Sequence, residues 1–242
     1  MNVVEASGLG KRYGRTWALR ECTLEIPAGR VAALVGPNGA GKTTLLNLAV
    51  GLTAPSAGAV TVLGGRRAGS PAALDGIAFV AQDTPLYKNL SVADMIYVTR
   101  KLNRRFDQPY ARARLDELGI PVTRRAGRLS GGQQAQLALT LALARRPWLL
   151  VLDEPVAALD PVARHDFMAT VLTAASADGV SVLLSSHVLT ELERVASYLI
   201  LLARGQVRLA GQVGDLLATH GQASLAELAM AYLRENMPEV TR

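Results

Sequence analysis

A glycine-rich loop that carries a lysine stands between a short apolar run and a segment with helical periodicity. Residues 36–44 read Gly-Pro-Asn-Gly-Ala-Gly-Lys-Thr-Thr, a full match to the pattern G-x-x-x-x-G-K-[ST]. The run Val31–Val35 before the loop is typical of a buried strand, and leucines recur at helical spacing after it. Such a loop turns its N–H groups inward at a helix N-terminus, where an anion is favoured. The motif therefore predicts an α/β chain that binds phosphate groups; the alternative, an ordinary glycine-rich turn, is disfavoured by the flanking strand and helix.

Two side chains of this loop have specific expected roles. Lys42 is expected to reach the β- and γ-phosphates of a nucleotide, and the Thr43 hydroxyl is expected to bind Mg²⁺. The predicted nucleotide-binding residues of the loop are Gly36, Pro37, Asn38, Gly39, Ala40, Gly41, Lys42, Thr43 and Thr44.

Apolar and helical segments alternate along most of the chain, which is typical of an α/β fold with a largely parallel, covered sheet. The predicted strands are Val31–Val35, Ile77–Val80, Leu149–Leu152 and Val180–Ser185. The predicted helices are Lys42–Val50, Gly131–Ala144, Pro161–Ala177 and Leu189–Ala196. A packed helix face is also expected near the C-terminus, at Leu225, Leu228, Ala229, Met230 and Leu233.

Residues 83–146 lack a strand pattern and are predicted to form a helical lobe inserted in this α/β body, with turns at Gln108-Pro109 and Gly119-Ile120-Pro121.

The chain has a net charge of +6 and a pI near 9.8. Residues 100–128 hold nine basic and three acidic residues, so this segment accounts for the whole surplus. A basic pI alone would indicate nucleic-acid binding, but the local concentration of charge disfavours it. A solvated basic face and contact with anionic lipid headgroups are the two remaining interpretations.

The predicted strand Leu149–Leu152 ends in two carboxylates, Asp153 and Glu154. At the carboxyl end of a parallel strand, Asp153 can face the nucleotide and organise Mg²⁺. Glu154 can orient or deprotonate an attacking water. Two acids in an ordinary turn are the alternative, which the upstream phosphate loop disfavours.

A second glycine-containing turn, Leu129-Ser130-Gly131-Gly132-Gln133, precedes another apolar helix. Ser130 can cap this helix, and the N–H groups beside it can bind a second phosphate. One nucleotide does not need two such helix ends about 90 residues apart. The duplication is explained if each turn closes over a nucleotide held by the other subunit of a dimer.

Taken in order, these motifs resemble those of the ATP-binding subunits of ABC transporters. Gly36–Thr43 is similar to their Walker A motif, Leu149–Glu154 to Walker B, and Leu129–Gln133 to the signature motif. The resemblance covers nearly the whole chain. It implies a P-loop NTPase core with a mostly parallel sheet, an antiparallel β element and an inserted helical subdomain. It also implies one ATPase domain over 1–242 and head-to-tail dimers around Mg-ATP.

The resemblance also implies roles for four single residues. Gln82 resembles the Q-loop glutamine, which touches Mg²⁺ and relays nucleotide state to the membrane partner. Asp160 resembles the D-loop aspartate of the dimer interface. His187 resembles the switch histidine that contacts the γ-phosphate, and Tyr13 lies where the family places an aromatic ring under adenine.

The sequence departs from the family pattern at two places, and neither change removes a side chain with a chemical role. Glutamines follow the signature serine and glycines where the family usually carries Arg or Lys, and Val156 replaces a frequent Thr or Ser. An active ATPase is therefore expected. Residues 83–92 and 159–164 further resemble the ATPases of ABC-2-type exporters.

The cysteine count and the lack of targeting segments limit the cellular compartments in which the protein is expected. A lone cysteine, Cys22, excludes an internal disulfide and is typical of a reducing compartment. Neither a signal peptide nor an apolar run of about 18 residues is present, so a soluble or peripheral protein is expected. The family resemblance implies that it lies at the cytoplasmic face of the membrane, beside a separate transmembrane subunit. A soluble ABC ATPase of translation or DNA repair and a silent nucleotide-gated scaffold are the alternatives.

Overall fold

The computed structural model describes residues 1–82, 86–186 and 189–235, which form two β-sheets and surrounding helices. The strands are β1 (Asn2–Tyr13), β2 (Thr16–Pro27), β3 (Val31–Val35), β4 (Ala57–Val62), β5 (Arg66–Arg67), β6 (Ile77–Val80), β7 (Leu149–Asp153), β8 (Ser181–Ser185), β9 (Tyr198–Ala203) and β10 (Gln206–Gln212). The helices are α1 (Lys42–Ala49), α2 (Pro71–Leu74), α3 (Val92–Leu102), α4 (Gln108–Glu117), α5 (Gly131–Ala144), α6 (Pro161–Ala177), α7 (Leu189–Leu192), α8 (Val213–His220) and α9 (Leu225–Glu235).

The larger sheet has the strand order β10-β9-β3-β8-β7-β6, and all of its pairings except β10 with β9 are parallel. Every residue of β3, β7, β8 and β9 is buried. Strands covered on both faces have no solvent side, which is why these segments are mostly apolar, with polar residues at strand ends. The four predicted strands are therefore confirmed, each within one residue of its predicted limits.

Alternate residues of β3 enter two separate cores. Ala32 and Leu34 face the core shared with α1 and the antiparallel sheet. Val31, Ala33 and Val35 face the core shared with α5, α6 and α9. The period-two geometry of a strand thus makes this sheet the wall between the two cores.

The smaller sheet has the order β2-β1-β4-β5 and is antiparallel throughout. The hairpin of β1 and β2 contains several register shifts, so the buried positions of β1 do not alternate regularly. This sheet is the antiparallel element that the family resemblance implies.

A third core lies among α3, α4 and α5. It contains Val92, Met95, Ile96, Leu115, Ile120, Ala126, Leu129, Leu137 and Leu141. Helix α5 contributes to two cores, because Leu137 and Leu141 face this lobe whereas Leu139 and Leu143 face the parallel sheet. The lobe is therefore held to the body of the protein along the length of α5.

Three details differ from the sequence-based expectations. Gln108-Pro109 is the first turn of α4, not a connecting turn, because Asp107 caps the helix by accepting from the Tyr110 N–H. Proline is tolerated there because the first helical N–H groups have no intrahelical partner.

Helix α7 ends at Leu192 instead of Ala196. On α9, Met230 is exposed, whereas Leu225, Leu228 and Ala229 are buried as predicted; the Leu233 side chain lies outside the described set.

The length and apolar character of the helices decide whether the described ranges could cross a bilayer. None of them combines the length and the apolar character that a membrane crossing requires.

The shared helix α5 generates a testable prediction. Leu137→Ala and Leu139→Ala each remove a fully buried side chain, so each should lower the free energy of unfolding by about 2–5 kcal/mol. Hydrogen exchange should distinguish them, because Leu137→Ala loosens the lobe and should accelerate amide exchange in α3 and α4, whereas Leu139→Ala should accelerate it in the parallel sheet. Identical exchange profiles in the two variants would contradict the division into separate cores.

Candidate active site

The candidate site lies at the carboxyl ends of three neighbouring strands. In the register of the parallel sheet, Leu34 of β3 pairs with Ser185 of β8, and Ser185 pairs with Asp153 of β7. The phosphate loop follows β3, and Glu154 follows β7. Residues separated by more than 100 positions in the chain therefore meet at one edge of the sheet.

The path of the phosphate loop requires glycine at two positions. A Cβ on Gly36 would lie 2.1 Å from the backbone oxygen of Leu202 on the adjacent strand β9. Gly41 begins α1 with φ +105°, and a Cβ there would lie 2.7 Å from the Ala18 oxygen. The loop is also fastened by a 3.0 Å hydrogen bond from the Gly205 N–H to the Ala40 oxygen. Close backbone packing thus fixes the loop in front of the α1 N-terminus.

Lys42 is buried and its ammonium group has three oxygen neighbours. Nζ donates to the Gly36 oxygen at 2.9 Å and to the Pro37 oxygen at 3.4 Å. Nζ also lies 3.3 Å from Oε1 of Glu154, and the two side chains are only 6% and 12% exposed. The Walker A lysine and the second Walker B acid therefore form a nearly buried ion pair.

Ser185 connects the two acidic residues. Its Oγ donates to Oδ1 of Asp153 at 2.6 Å and accepts from the Glu154 N–H at 2.9 Å. Both bonds are buried or partly buried. Glu154 has φ +44°, a left-handed conformation that is strained for a residue with a side chain. The hydrogen bond from the Glu154 N–H to Ser185 Oγ helps to hold Glu154 in this conformation.

The polar oxygens of this site match the preferences of Mg²⁺. Thr43 is exposed in the first turn of α1, Asp153 is buried at the end of β7, and Gln82 is exposed two residues after β6. Within the described ranges, no group of three His, Cys, Asp or Glu side chains could hold a metal ion by itself. A donor set of this kind suits an ion that is also bound by substrate phosphates.

The second turn is capped as the sequence predicts. Ser130 Oγ accepts from the Gln133 N–H at 3.2 Å, and Gln133 Oε1 accepts from the Ser130 N–H at 3.1 Å, forming a capping box. The Gln133 side chain is thereby engaged within its own turn. Among the hydrogen bonds of the described chain, none uses the N–H groups of Gly131 or Gly132.

The Ser130 turn and Asp160 lie at neighbouring helix N-termini. Asp160 caps α6 by accepting from the N–H groups of Val162 and Ala163, each at 3.0 Å. A Cβ on Gly132 would lie 2.9 Å from the Cβ of Ala163, so the first turns of α5 and α6 touch. The signature-like turn and the D-loop-like aspartate thus form one surface.

The predicted residues that the structure describes fall into two groups, around Lys42 and around Ser130, and two single positions, Tyr13 and Gln82. Within the described ranges, no hydrogen bond or ion pair joins residues 130–133 to residues 36–44. Tyr13 is exposed at the end of β1, with Lys11 Nζ 5.2 Å from its ring centroid, and Gln82 is exposed. His187 lies outside the described residues.

Sequence reasoning missed Ser185 as a site residue. The available signal was a serine at the end of an apolar strand, but its significance depends on the strand order, which places β8 between β3 and β7.

Comparison with known proteins identifies the family. Residues 19–157 match the family model described as ABC transporter. The thiamine import ATP-binding protein ThiQ of Escherichia coli O157:H7 is 33% identical over 208 residues, covering 84% of this chain and 89% of that protein. The Fe(3+) ions import ATP-binding protein FbpC of Mesorhizobium japonicum is 35% identical over 94% of this chain, which spans 65% of that protein. The lantibiotic transport ATP-binding protein SrtF of Streptococcus pyogenes is 32% identical over 85% of this chain and 89% of its own length.

Solved structures agree with these relatives. An ATP-binding subunit of an ABC transporter superposes with a TM-score of 0.85 at 26% identity, covering 96% of this chain and 99% of that one. A dimeric ATP-binding cassette in a post-hydrolysis state, bound to ADP and Pi, gives a TM-score of 0.77 at 25% identity, covering 87% of this chain and 98% of that one. The fold expected from the motifs is confirmed by these structures. The chain belongs to the ABC transporter family, as an ATPase that forms the ATP-binding subunit of such a transporter.

Proposed function

We propose that this subunit binds Mg-ATP between its own Lys42 loop and the Ser130 turn of a second ATPase subunit, and that hydrolysis drives transport through a separate membrane subunit. The observation that carries the proposal is the buried pair of Lys42 and Glu154 beside Asp153 and Ser185. A buried cation among carboxylates, at the N-terminus of a helix that follows a glycine-rich loop, is suited to the exchange of anionic partners.

Nucleotide binding uses the phosphate loop. Backbone N–H groups of the loop surround the phosphates, and the Lys42 ammonium binds the β- and γ-phosphate oxygens. Because these oxygens are anionic, they compete with the Glu154 carboxylate for the same ammonium group. Tyr13 is exposed and can stack under adenine.

Mg²⁺ accompanies the substrate. Thr43, Asp153 and Gln82 would hold it, through a hydroxyl, a carboxylate and an amide oxygen. When bound, the ion neutralises charge on the β- and γ-phosphates.

Hydrolysis depends on the placement of Glu154. Its carboxylate orients a water whose oxygen attacks the γ-phosphorus, while the bond from that phosphorus to the β,γ-bridging oxygen breaks. The proton of the water passes to the Glu154 carboxylate, and ADP leaves with the electron pair of the broken bond. Ser185 keeps the Glu154 backbone at the required position through its 2.9 Å hydrogen bond. His187 is assigned to the γ-phosphate by family resemblance alone.

The second subunit completes the site. The N–H groups of Gly131 and Gly132 lie at the start of α5, where the helix dipole favours an anion. With Ser130 and Asp160 they form a surface that makes no hydrogen bond to the Lys42 loop of the same chain within the described ranges. A head-to-tail dimer would bring this surface onto the γ-phosphate held by the partner.

The membrane subunit is expected to dock at the side of the lobe. Exposed Leu74 and Leu102 line a common groove, and Tyr87 is exposed five residues after Gln82. Exposed apolar side chains in a groove, such as Leu74 and Leu102, are typical of an interaction surface. Docking there would place the subunit at the cytoplasmic face of the membrane as a peripheral protein, and nucleic acid is not an expected partner.

Family membership favours a transport role over the soluble alternative, because the relatives are named as transport proteins. The exporter subtype rests on the resemblance of residues 83–92 and 159–164, of which 83–85 lie outside the described residues. Two of the relatives are named import proteins and one a lantibiotic transport protein. Export therefore stays a prediction, and transport measured in membrane vesicles with the co-purifying membrane subunit tests it.

The variant Glu154→Gln tests the role of Glu154. The amide keeps the size of the side chain but cannot accept a proton from water, so the variant should bind ATP, lose at least about 100-fold in hydrolysis and accumulate as an ATP-bound dimer. Phosphate release and size-exclusion chromatography measure these effects. Wild-type turnover in this variant would refute the assignment.

A mixing experiment tests the shared site. Lys42→Ala and Ser130→Arg each disable both sites of a homodimer, whereas their heterodimer contains one site with neither change. Mixing the two inactive variants should therefore restore ATPase activity, up to half of the wild-type rate per heterodimer. Failure of every mixing ratio to restore activity, with heterodimers present, would contradict sharing.

The Ser185→Ala variant tests the connection between the two acids. Loss of the hydroxyl removes one hydrogen-bond partner from Asp153 and one from the strained Glu154 backbone. The free energy of unfolding should therefore fall by about 1–3 kcal/mol, and the rate of ATP hydrolysis should also fall. Ser181→Ala is the matched control, because Ser181 is buried at the opposite end of β8 and accepts from the Gly29 N–H. Equal losses of hydrolysis in the two variants would show that Ser185 only stabilises the fold and has no specific role at the site.

A further inference from the structure

We infer that Arg146 is a positioning residue that sets the alignment of the Ser130 and Asp160 turns from the far ends of α5 and α6. The inference rests on the proposed function, in which these two turns act together on the partner's nucleotide. It concerns a residue that no motif includes and that lies beyond the carboxyl end of α5.

Arg146 joins three helix termini. Its Nε and Nη2 donate to Oδ2 of Asp107, the α4 cap, at 3.1 and 2.8 Å. Its Nη1 lies 3.7 Å from Oδ1 of Asp178, the residue that follows α6, and its guanidinium lies 4.7 Å from the Tyr110 ring centroid. The Asp107 N–H also donates to the oxygen of Ala144, the last residue of α5. We call this set of contacts the Arg146 clamp.

The charges of the clamp suit the helix ends they contact. The cationic guanidinium lies at the carboxyl ends of α5 and α6, and the Asp107 carboxylate lies at the amino end of α4. Both placements are favourable in the field of the helix dipoles. The Tyr110 N–H and the Arg146 guanidinium hold the pKa of Asp107 below its ordinary value, so this carboxylate stays charged at neutral pH.

The backbone of Arg146 is strained. Its φ of +51° is left-handed, in the position after a helix where glycine or asparagine is favoured. A long side chain at such a position is disfavoured unless its contacts compensate for the strain. The contacts with Asp107, Asp178 and Tyr110 provide that compensation.

The two helices transmit the clamp to the site. Helices α5 and α6 contain 14 and 17 residues, so they are about 21 and 25 Å long. They touch at their amino ends, at Gly132 and Ala163, and the clamp joins their carboxyl ends through Arg146 and Asp178. Helices α5 and α6 already share a buried core, and the clamp adds a further attachment at their carboxyl ends. Since each helix behaves as a rod, this attachment constrains the angle between them and with it the relative placement of Ser130 and Asp160.

The test is Arg146→Asn, with Arg204→Asn as its matched control. Asparagine tolerates the left-handed backbone, so folding should be preserved, but it cannot reach the three partners of arginine. Arg204 has the same φ of +51° in the β9–β10 turn, where it is exposed. Both variants relieve the same strain, and only Arg146→Asn removes the clamp.

We expect Arg146→Asn to lower kcat for ATP roughly 10- to 100-fold, because displacements of about 1 Å in a closed site have effects of this size. The dissociation constant for ADP should change less than about twofold, because the Lys42 loop is outside the clamp. Arg204→Asn should retain the wild-type kcat. Asp107→Asn should also lower kcat, and the double variant Arg146→Asn/Asp107→Asn should be no slower than the slower single variant.

A wild-type kcat in Arg146→Asn would overturn the inference. A parallel loss of kcat, ADP affinity and melting temperature would also overturn it, because that pattern indicates general destabilisation. The Ser130→Arg homodimer, measured in the same series, reports on the shared site separately. A wild-type rate in Ser130→Arg would refute the proposed function, whereas an unaffected Arg146→Asn variant refutes only the clamp.

Discussion

The parallel pairing of β8 with β3 on one side and β7 on the other is the constraint on which the site depends. It places Ser185 next to Asp153 and brings Glu154 to the loop that carries Lys42. A slip of one residue in either pairing would turn Ser185 to the opposite face of the sheet, because side chains alternate along a strand. The continuous burial of both faces of these strands resists such a slip. The chemistry of the site is thus fixed by the packing of the sheet.

A comparable dependence links the lobe to the sheet. Helix α5 faces the lobe with Leu137 and Leu141 and the sheet with Leu139 and Leu143. The Ser130 turn at its amino end therefore cannot move without disturbing packing on two sides. Any movement of the lobe that accompanies nucleotide binding would carry the turn with it as a unit.

The motifs and the central strands could be predicted because their signals are local. Strands buried on both faces are continuous apolar runs, and a phosphate loop needs glycines at fixed spacings. The position of the antiparallel sheet could not be predicted, since register shifts in β1 break the alternation that identifies a half-buried strand. The first turn of α4 was missed because proline favours both turns and helix starts, and only the Asp107 cap decides between them. The contacts of Lys42 with Glu154 and of Arg146 with Asp107 join residues far apart in the chain, so no local pattern contains them.

In the proposed function, charge balance at the site is the reason why a divalent cation would enter with the nucleotide. The side chains of Lys42, Asp153 and Glu154 are nearly buried and together carry one net negative charge. A triphosphate adds several more negative charges to a region where unpaired charge is strongly unfavourable. One ammonium group with three N–H donors cannot serve Glu154, the loop carbonyls and the phosphates at the same time. A divalent cation would supply the missing positive charge, and the phosphate oxygens would compete with Glu154 for the Lys42 ammonium group. The Glu154 carboxylate would then face the γ-phosphate, and a water molecule between them could donate a hydrogen bond to the carboxylate.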